Sequence, residues 1–192
     1  MNTPIQNESL HKSVLSQYRI ESAQSLGGTI LDCGGGLGEY LPYFSADRVV
    51  VFDISFQALN VLQHSEKVCG DGCELPFADN SFDNTWSCAV AQYLPLQSFV
   101  KELMRVTKPG GKILILVPNG NSPWDWLKKK LGMASWWDQE GIITQYSLED
   151  LIPYGQVSGE VRFLWGERLL RKMPRLCHTL LLEIKIVGIN NE

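Results

Sequence analysis

Leu31-Asp32-Cys33-Gly34-Gly35-Gly36-Leu37-Gly38-Glu39 is the stretch that decides the fold of this chain. The apolar run 29–33 enters it as a short buried strand, and glycines fall at the alternate positions 34, 36 and 38. Glycine adopts positive φ at little cost and lets a ligand approach the backbone. A second run, 48–53, is rich in β-branched residues and reads as another buried strand. Residues 39–46 between them have room for a crossover helix, so the three pieces form a parallel βαβ unit. Open sheets of this kind bind ligands at the carboxyl ends of their strands, where this loop falls. A tight turn packed against a neighbour competes as the reading of a glycine loop taken alone.

The alternation extends outward from this unit. Upstream, Leu10, Val14, Leu15 and Tyr18 recur at helical spacing, and Gly27-Gly28 ends a helix over 10–26. Downstream the pattern predicts a helix at 55–65, a third strand at 67–69, a fourth at 82–89 and a helix at 97–106. Pro109-Gly110-Gly111 is a tight turn that launches a fifth strand at 112–117. Past Asn119 the pattern loosens to helices at 123–131 and 147–152 and strands at 160–165 and 179–187. No long helix separates the last two strands, so they are expected to pair antiparallel. Strands alternating with helices imply a parallel sheet with helices on both faces.

Composition narrows the function. At 192 residues the chain suits one domain with its own core. Hydrophobic residues make up 44% and charged residues 20%, which excludes a disordered chain. Lys and Arg total 17 against 21 Asp and Glu, a formal charge of −4, so no nucleic-acid partner is expected. The longest apolar runs, such as 113–117, fall well short of the ~20 residues of a membrane helix. Residues 1–12 carry no apolar run of the signal-peptide type. Five cysteines, an odd number in a chain that needs no disulfide, point to a reducing, cytoplasmic setting. Cys69 and Cys73 form only a loose pair, with Cys177-His178 far away, so no metal site is expected.

The glycine spacing bears on the ligand. A dinucleotide fingerprint, G-x-G-x-x-G, puts its third glycine where Glu39 stands, and a carboxylate there repels a pyrophosphate. No Tyr-x-x-x-Lys pair supports a nicotinamide dehydrogenase either, which leaves an NAD-dependent oxidoreductase as a minor rival. The pattern Asp32-x-Gly34-x-Gly36-x-Gly38 resembles the first motif of the class I S-adenosylmethionine-dependent methyltransferases. Asp53 ends the second strand, Gly70-Asp71-Gly72 is followed by Leu75-Pro76-Phe77 and Asp79-Asn80-Ser81-Phe82-Asp83, and residues 102–111 read E-L-M-R-V-T-K-P-G-G. These segments are similar to that family's in order and spacing from about 29 to 119, roughly half of the chain.

The resemblance implies a Rossmann-like α/β fold with a seven-stranded, mostly parallel sheet and an antiparallel last strand. It implies S-adenosylmethionine as cofactor. Gly34, Gly36 and Gly38 would let the loop approach the methionine end, with Asp32 near its amino group or ordering the loop. Asp53, followed by Ile54, would hold the ribose hydroxyls; a helix N-cap is the competing role. Asp71 and Gly72 would meet the adenine, against a plain Asx-turn. Ala89 would complete the cofactor contacts at the end of the fourth strand.

Catalytic groups are harder to read. Where many relatives carry an acid-histidine pair, this chain has Gln92-Tyr93, the two candidate catalytic positions. Tyr93 serves as a pocket wall, a weak acid/base or simply a packed aromatic. His11 and His64 read as solvated helix residues, and His178 is distant in sequence from the cofactor loops. The acceptor side is expected in residues 120–150. Five of six tryptophans follow Asn119: Trp124, Trp126, Trp136, Trp137 and Trp165. Trp124, Leu127 and Leu131 share a helix face beside Lys128-Lys129-Lys130, which fits ordinary packing, a lid over an apolar acceptor, or weak peripheral membrane contact. The expected organisation is one domain, 1–192, with an N-terminal helix (1–28), a cofactor-binding core (29–119), an acceptor lid (120–150) and C-terminal strands (151–192). The expected activity is methyl transfer to a small-molecule or lipid-like acceptor. A non-catalytic S-adenosylmethionine-binding or partner subunit of the same fold is the alternative.

Overall fold

A computed structural model describes residues 14–133, 144–160, 175, 177 and 179–187. Its elements are α1 (Val14–Gln24), β1 (Thr29–Cys33), β2 (Arg48–Asp53), α2 (Phe56–Val61), β3 (Lys67–Cys69), β4 (Phe82–Cys88), α3 (Leu96–Val106), β5 (Thr107–Pro118), α4 (Pro123–Lys130), α5 (Leu148–Leu151), β6 (Gln156–Glu160) and β7 (Thr179–Lys185). The strands form one sheet in the order β3-β2-β1-β4-β5-β7-β6. The first five pair in parallel, while β7 runs antiparallel to both β5 and β6. The expected fold is therefore present: a seven-stranded, Rossmann-like sheet with β7 reversed.

Strand side chains alternate between faces, and each face builds its own core. Leu31, Cys33, Phe52, Ile113, Ile115, Leu180 and Leu182 pack on one side against Phe99, Val100 and Leu103 of α3 and Leu148 and Leu151 of α5. Ile30, Trp86, Leu114, Leu116 and Leu181 pack on the other against Tyr18, Ala23 and Leu26 in and just beyond α1. Val51 on that second face meets Leu59 and Leu62 of the α2 region. At 25 cal/mol per Å², a fully buried Leu or Phe contributes about 1.5–3 kcal/mol, so these clusters supply the main driving force.

Several elements differ from the sequence reading. The crossover at 39–46 contains no α-helix but a 3-10 turn, Leu41–Tyr43, with Pro42 in its first turn. Gly38 N to Gly35 O, Leu41 N to Gly38 O and Tyr43 N to Tyr40 O are all i to i+3 bonds. Left-handed Gly36 and Gly38 and the missing proline N–H prevent the i to i+4 ladder. α2 is shorter than 55–65: Ser55 caps it by accepting from Ala58 N, and Lys67 Nζ donates to the carbonyls of Leu59 and Leu62 at its end. β5 begins before its expected launch, with Pro109-Gly110-Gly111 as an irregularity inside it. Phe82 pairs with Thr107, but Asn84 pairs with Lys112, and Gly110 sits at φ +86. The sixth strand is at Gln156–Glu160 rather than 160–165, set by pairing of Val157 with Leu182; residues 161–165 lie outside the described ones. His64 is not simply solvated, since its Nε2 meets Val49 O at 2.8 Å. His11, His178, Trp136, Trp137 and Trp165 lie outside the described residues. Among the described residues no helix is long and apolar enough to cross a membrane.

Candidate functional site

The loop after β1 carries three left-handed glycines: Gly34 (φ +82), Gly36 (φ +50) and Gly38 (φ +73). Each answers to a different neighbour. A Cβ on Gly34 would fall 2.0 Å from Val90 Cγ2, so the loop lies tight against the segment after β4. On Gly38 it would meet Leu41 and Leu62 Cδ1 at 2.7 Å, so this glycine packs the crossover rather than facing a cleft. At Gly36 the nearest atom is 3.8 Å away, and its N–H donates to Asp53 Oδ2 at 2.9 Å. The other Asp53 oxygen accepts from Ser55 N at 2.7 Å. Asp53 thus ties the β1 loop to the β2 loop, while Ser55 performs the helix cap.

Two clefts open on either side of this loop. The first, about 320 Å³, is lined by Asp53, Ile54, Gly72, Ala89 and Tyr93 of the expected residues, together with Cys33, Phe52, Gly70, Val90 and Leu94. The second, about 290 Å³, lies between the glycine loop, Glu39, Tyr40, Trp86, Cys88 and Arg19 of α1. Gly34 and Ala89 border both, so the clefts adjoin at the carboxyl end of the sheet as two halves of a trough divided by the loop. The first is predominantly apolar; the second is flanked by a guanidinium and a buried indole N–H.

Asp32 lies beneath the loop rather than in either cleft. It is 1% exposed, and a Cβ on Gly35 would touch its Oδ2 at 2.6 Å. Neither carboxylate oxygen has a hydrogen-bond partner among the described residues. Burial, reinforced by Asp53, raises its pKa from 3.8 to about 7. An orphaned, buried, near-neutral carboxyl is a costly feature that suits an incoming cation or a proton held in place. Burial also pushes the Cys33 thiol well up, so this cleft-lining cysteine stays protonated and is not a nucleophile.

The remaining expected residues divide. Gly72 lines the first cleft, where a Cβ would crowd Leu94 and Phe99. Asp71 is exposed, and its Oδ1 accepts from Cys73 N at 2.8 Å, forming the Asx-turn. That segment is clamped from behind by Arg105, which donates to Leu75 O, Phe77 O, Asp79 and Glu102. Ala89 holds φ +58, a strained conformation for a residue with a Cβ. Its N–H donates to Leu116 O at 2.8 Å and its carbonyl accepts from Gln92 Nε2 at 2.6 Å. Gln92 is fully buried and its Nε2 is committed to that bond, so it braces the cleft wall; Tyr93 lines the cleft itself.

Arg19, Tyr40, Trp86, Cys88, Val90 and Leu94 were not singled out by sequence. Cys88 and Val90 flank Ala89 and Leu94 follows Tyr93, so these three carried a local signal; Arg19, Tyr40 and Trp86 reach the clefts through tertiary packing.

Residues 31–115 match the model of a protein family described as a methyltransferase domain. The chain is 36% identical over 94 residues to a demethylmenaquinone methyltransferase of Corynebacterium urealyticum, covering 46% of this chain and 41% of that relative. It thus spans less than half the length of the curated relatives it matches. Its fold is similar to that of a SAM-dependent methyltransferase from Thermotoga maritima (TM-score 0.67, 14% identity, covering 93% of this chain and 92% of that one). It is also similar to a chain from the complex of the Haloferax volcanii Trm112 methyltransferase activator with a methyltransferase (TM-score 0.64, 18% identity, 92% and 90% covered).

Proposed function

We propose, from the premise that this chain carries a class I methyltransferase domain, that it binds S-adenosylmethionine across the two clefts and transfers its methyl group to a small-molecule or lipid-like acceptor. The observation that carries this reading is the left-handed loop Gly34–Gly38 dividing one trough, with Asp53 at one side and the orphaned Asp32 beneath. Asp53 retains lone pairs for ribose hydroxyls beyond its bonds to Gly36 and Ser55. Gly72 offers close backbone approach to a flat ring. Asp32 attracts the amino end of the cofactor from below the loop. Ile54, the residue after Asp53, and Ala89, held by Gln92, complete the wall.

The cofactor, when bound, supplies an electrophilic methyl on a sulfonium. The protein's part is then to align and to exclude water. Holding donor and acceptor in line contributes as much as ~7–11 kcal/mol. The apolar wall of Val90, Tyr93 and Leu94 excludes water from that line. Gln92 is no base and Cys33 stays a thiol, so an acceptor bringing its own nucleophile, such as a thiolate, carboxylate or neutral amine, fits best. A hydroxyl acceptor would want a base worth about 10²–10⁴-fold. The name of the corynebacterial relative supports a lipid-like acceptor.

A second reading, a non-catalytic cofactor-binding or partner subunit, rests on the commitment of Gln92 to Ala89, which leaves it no role as a base. Calorimetry with S-adenosylhomocysteine, followed by transfer from methyl-labelled cofactor into lipid and metabolite extracts, separates them. Binding with transfer supports the enzyme, and binding without transfer supports the subunit. No binding at saturating ligand overturns both.

A further inference from the structure

The chain leaves the sheet after β5, makes an excursion through α4, and returns at Thr144–Tyr146. The base of that excursion is pinned to the trough. Gly120 N donates to Tyr146 O at 2.8 Å, Thr144 N donates to Gln92 O at 3.2 Å, and Tyr146 Oη donates to Leu94 O at 2.8 Å. Leu94 lines the first cleft, so the base of the excursion that carries α4 is tied to a wall of that cleft.

Trp126 and Leu127 of α4 are not buried. Trp126 is 60% exposed, Leu127 43%, and Leu131 and Met133 just beyond it 66% and 56%. At roughly 100° per residue, Leu127 and Leu131 stack as one stripe and Trp126 and Lys130 as the next, with Lys129 on the far side of Trp126. Lys130 Nζ stands 4.1 Å over the Trp126 ring. Basic residues crowd this helix of a chain whose net charge is −4, and Asp125 is its only acid. An exposed tryptophan and leucine stripe bordered by lysines is the pattern of a helix lying at a bilayer surface, with rings at headgroup level and ammonium groups on anionic lipids.

We infer that α4 docks the protein on an anionic lipid–water interface, with Trp126, Leu127 and Leu131 inserted and Lys129 and Lys130 on the headgroups. The inference goes beyond the methyl-transfer reading and does not depend on it.

The test is sedimentation of the full chain with phosphatidylcholine vesicles and with phosphatidylcholine–phosphatidylglycerol vesicles. Partition is expected into the anionic vesicles only, and it weakens as salt is raised. Each near-surface lysine contributes about fivefold, so the Lys129→Ala/Lys130→Ala pair lowers partition about 25-fold. Trp126→Ala lowers it at least about tenfold. An unchanged melting shift with S-adenosylhomocysteine in both variants shows that fold and cofactor site are intact, and separates this test from that of methyl transfer. No partition into anionic vesicles, equal partition into neutral ones, or a double variant that behaves as the parent overturns the inference. Binding of a polyanion such as heparin through the same residues, without vesicle binding, overturns it as well.

Discussion

Replacing Asp32 by Asn removes a buried charge while keeping the shape of the side chain. Its carboxyl is raised from 3.8 to about 7 by burial and by Asp53. The folded state therefore binds this proton more tightly than the unfolded state does. Stability from this group is complete below about pH 4, declines as pH rises toward 7, and is gone above it. About three pH units at ~1.4 kcal/mol each amount to a cost on the order of 4 kcal/mol at pH 8, an upper bound for a group that relaxes on ionisation. Asp32→Asn escapes that cost. Its melting temperature should match the parent near pH 4 and exceed it at pH 8 by as much as about 8–16 °C, at roughly 2–4 °C per kcal/mol. Scanning calorimetry of both proteins across this range measures the gap. A gap that does not widen with pH refutes the argument that Asp32 is a buried, orphaned acid. The functional reading adds an opposite effect: cofactor affinity of the variant should fall about tenfold or more, as expected for a lost hydrogen bond to a charged group. Parental binding of S-adenosylhomocysteine should strengthen as pH rises through about 7. Unchanged affinity in the variant would confine Asp32 to ordering the loop.

Asp53→Ala should weaken S-adenosylhomocysteine by about 1.5–3 kcal/mol per ribose hydrogen bond, read by titration calorimetry, and should lower the pKa of Asp32 by removing the neighbouring charge; unaltered affinity defeats the ribose assignment. Gly34→Ala should abolish binding because its Cβ meets Val90 at 2.0 Å, whereas Gly110→Ala, equally left-handed but in open space, should cost only about 1–2 kcal/mol of stability and leave affinity alone. Equal effects of the two glycine variants in a thermal-shift titration would contradict the tight approach at Gly34. If residues 120–146 cover the acceptor, hydrogen exchange there should slow when cofactor and an acceptor bind, and equal protection with and without ligand removes the lid. Arg105→Ala should destabilise the fold by on the order of 2 kcal/mol by freeing the Leu75–Asp79 segment. Arg105 also holds Glu102 below the usual carboxylate range, so part of the parent's stability is present above pH 4.5 and lost as pH falls through that depressed value. The variant should lose this acid sensitivity in a pH series of melting curves.

Sequence alone determined the parallel α/β order from β1 to β5, the positions of the alternate glycines, and Asp53 at the end of β2. Strand alternation and glycine's freedom at positive φ are local properties, so residues 29–119 were legible wherever a run and its turn lay side by side. The crossover was not, because Gly36, Gly38 and Pro42 broke a helix that its length permitted. Nor was the sixth strand, whose place comes from pairing with Leu180–Leu182 across the sheet rather than from its own pattern, Gln-Val-Ser-Gly-Glu. The tertiary structure decided the roles within the site. Asp71 and Gln92 read alike as polar loop residues, yet one makes an exposed Asx-turn and the other is buried against the Ala89 carbonyl. Asp32 gained its raised pKa only when β2 and the loop closed over it, and Arg19 reached the second cleft from a helix about fifteen residues upstream of the loop. Periodicity and turn chemistry are written within a few residues of one another, but burial, charge proximity and cleft walls arise between strands far apart in the chain, and only the closed sheet brings them together.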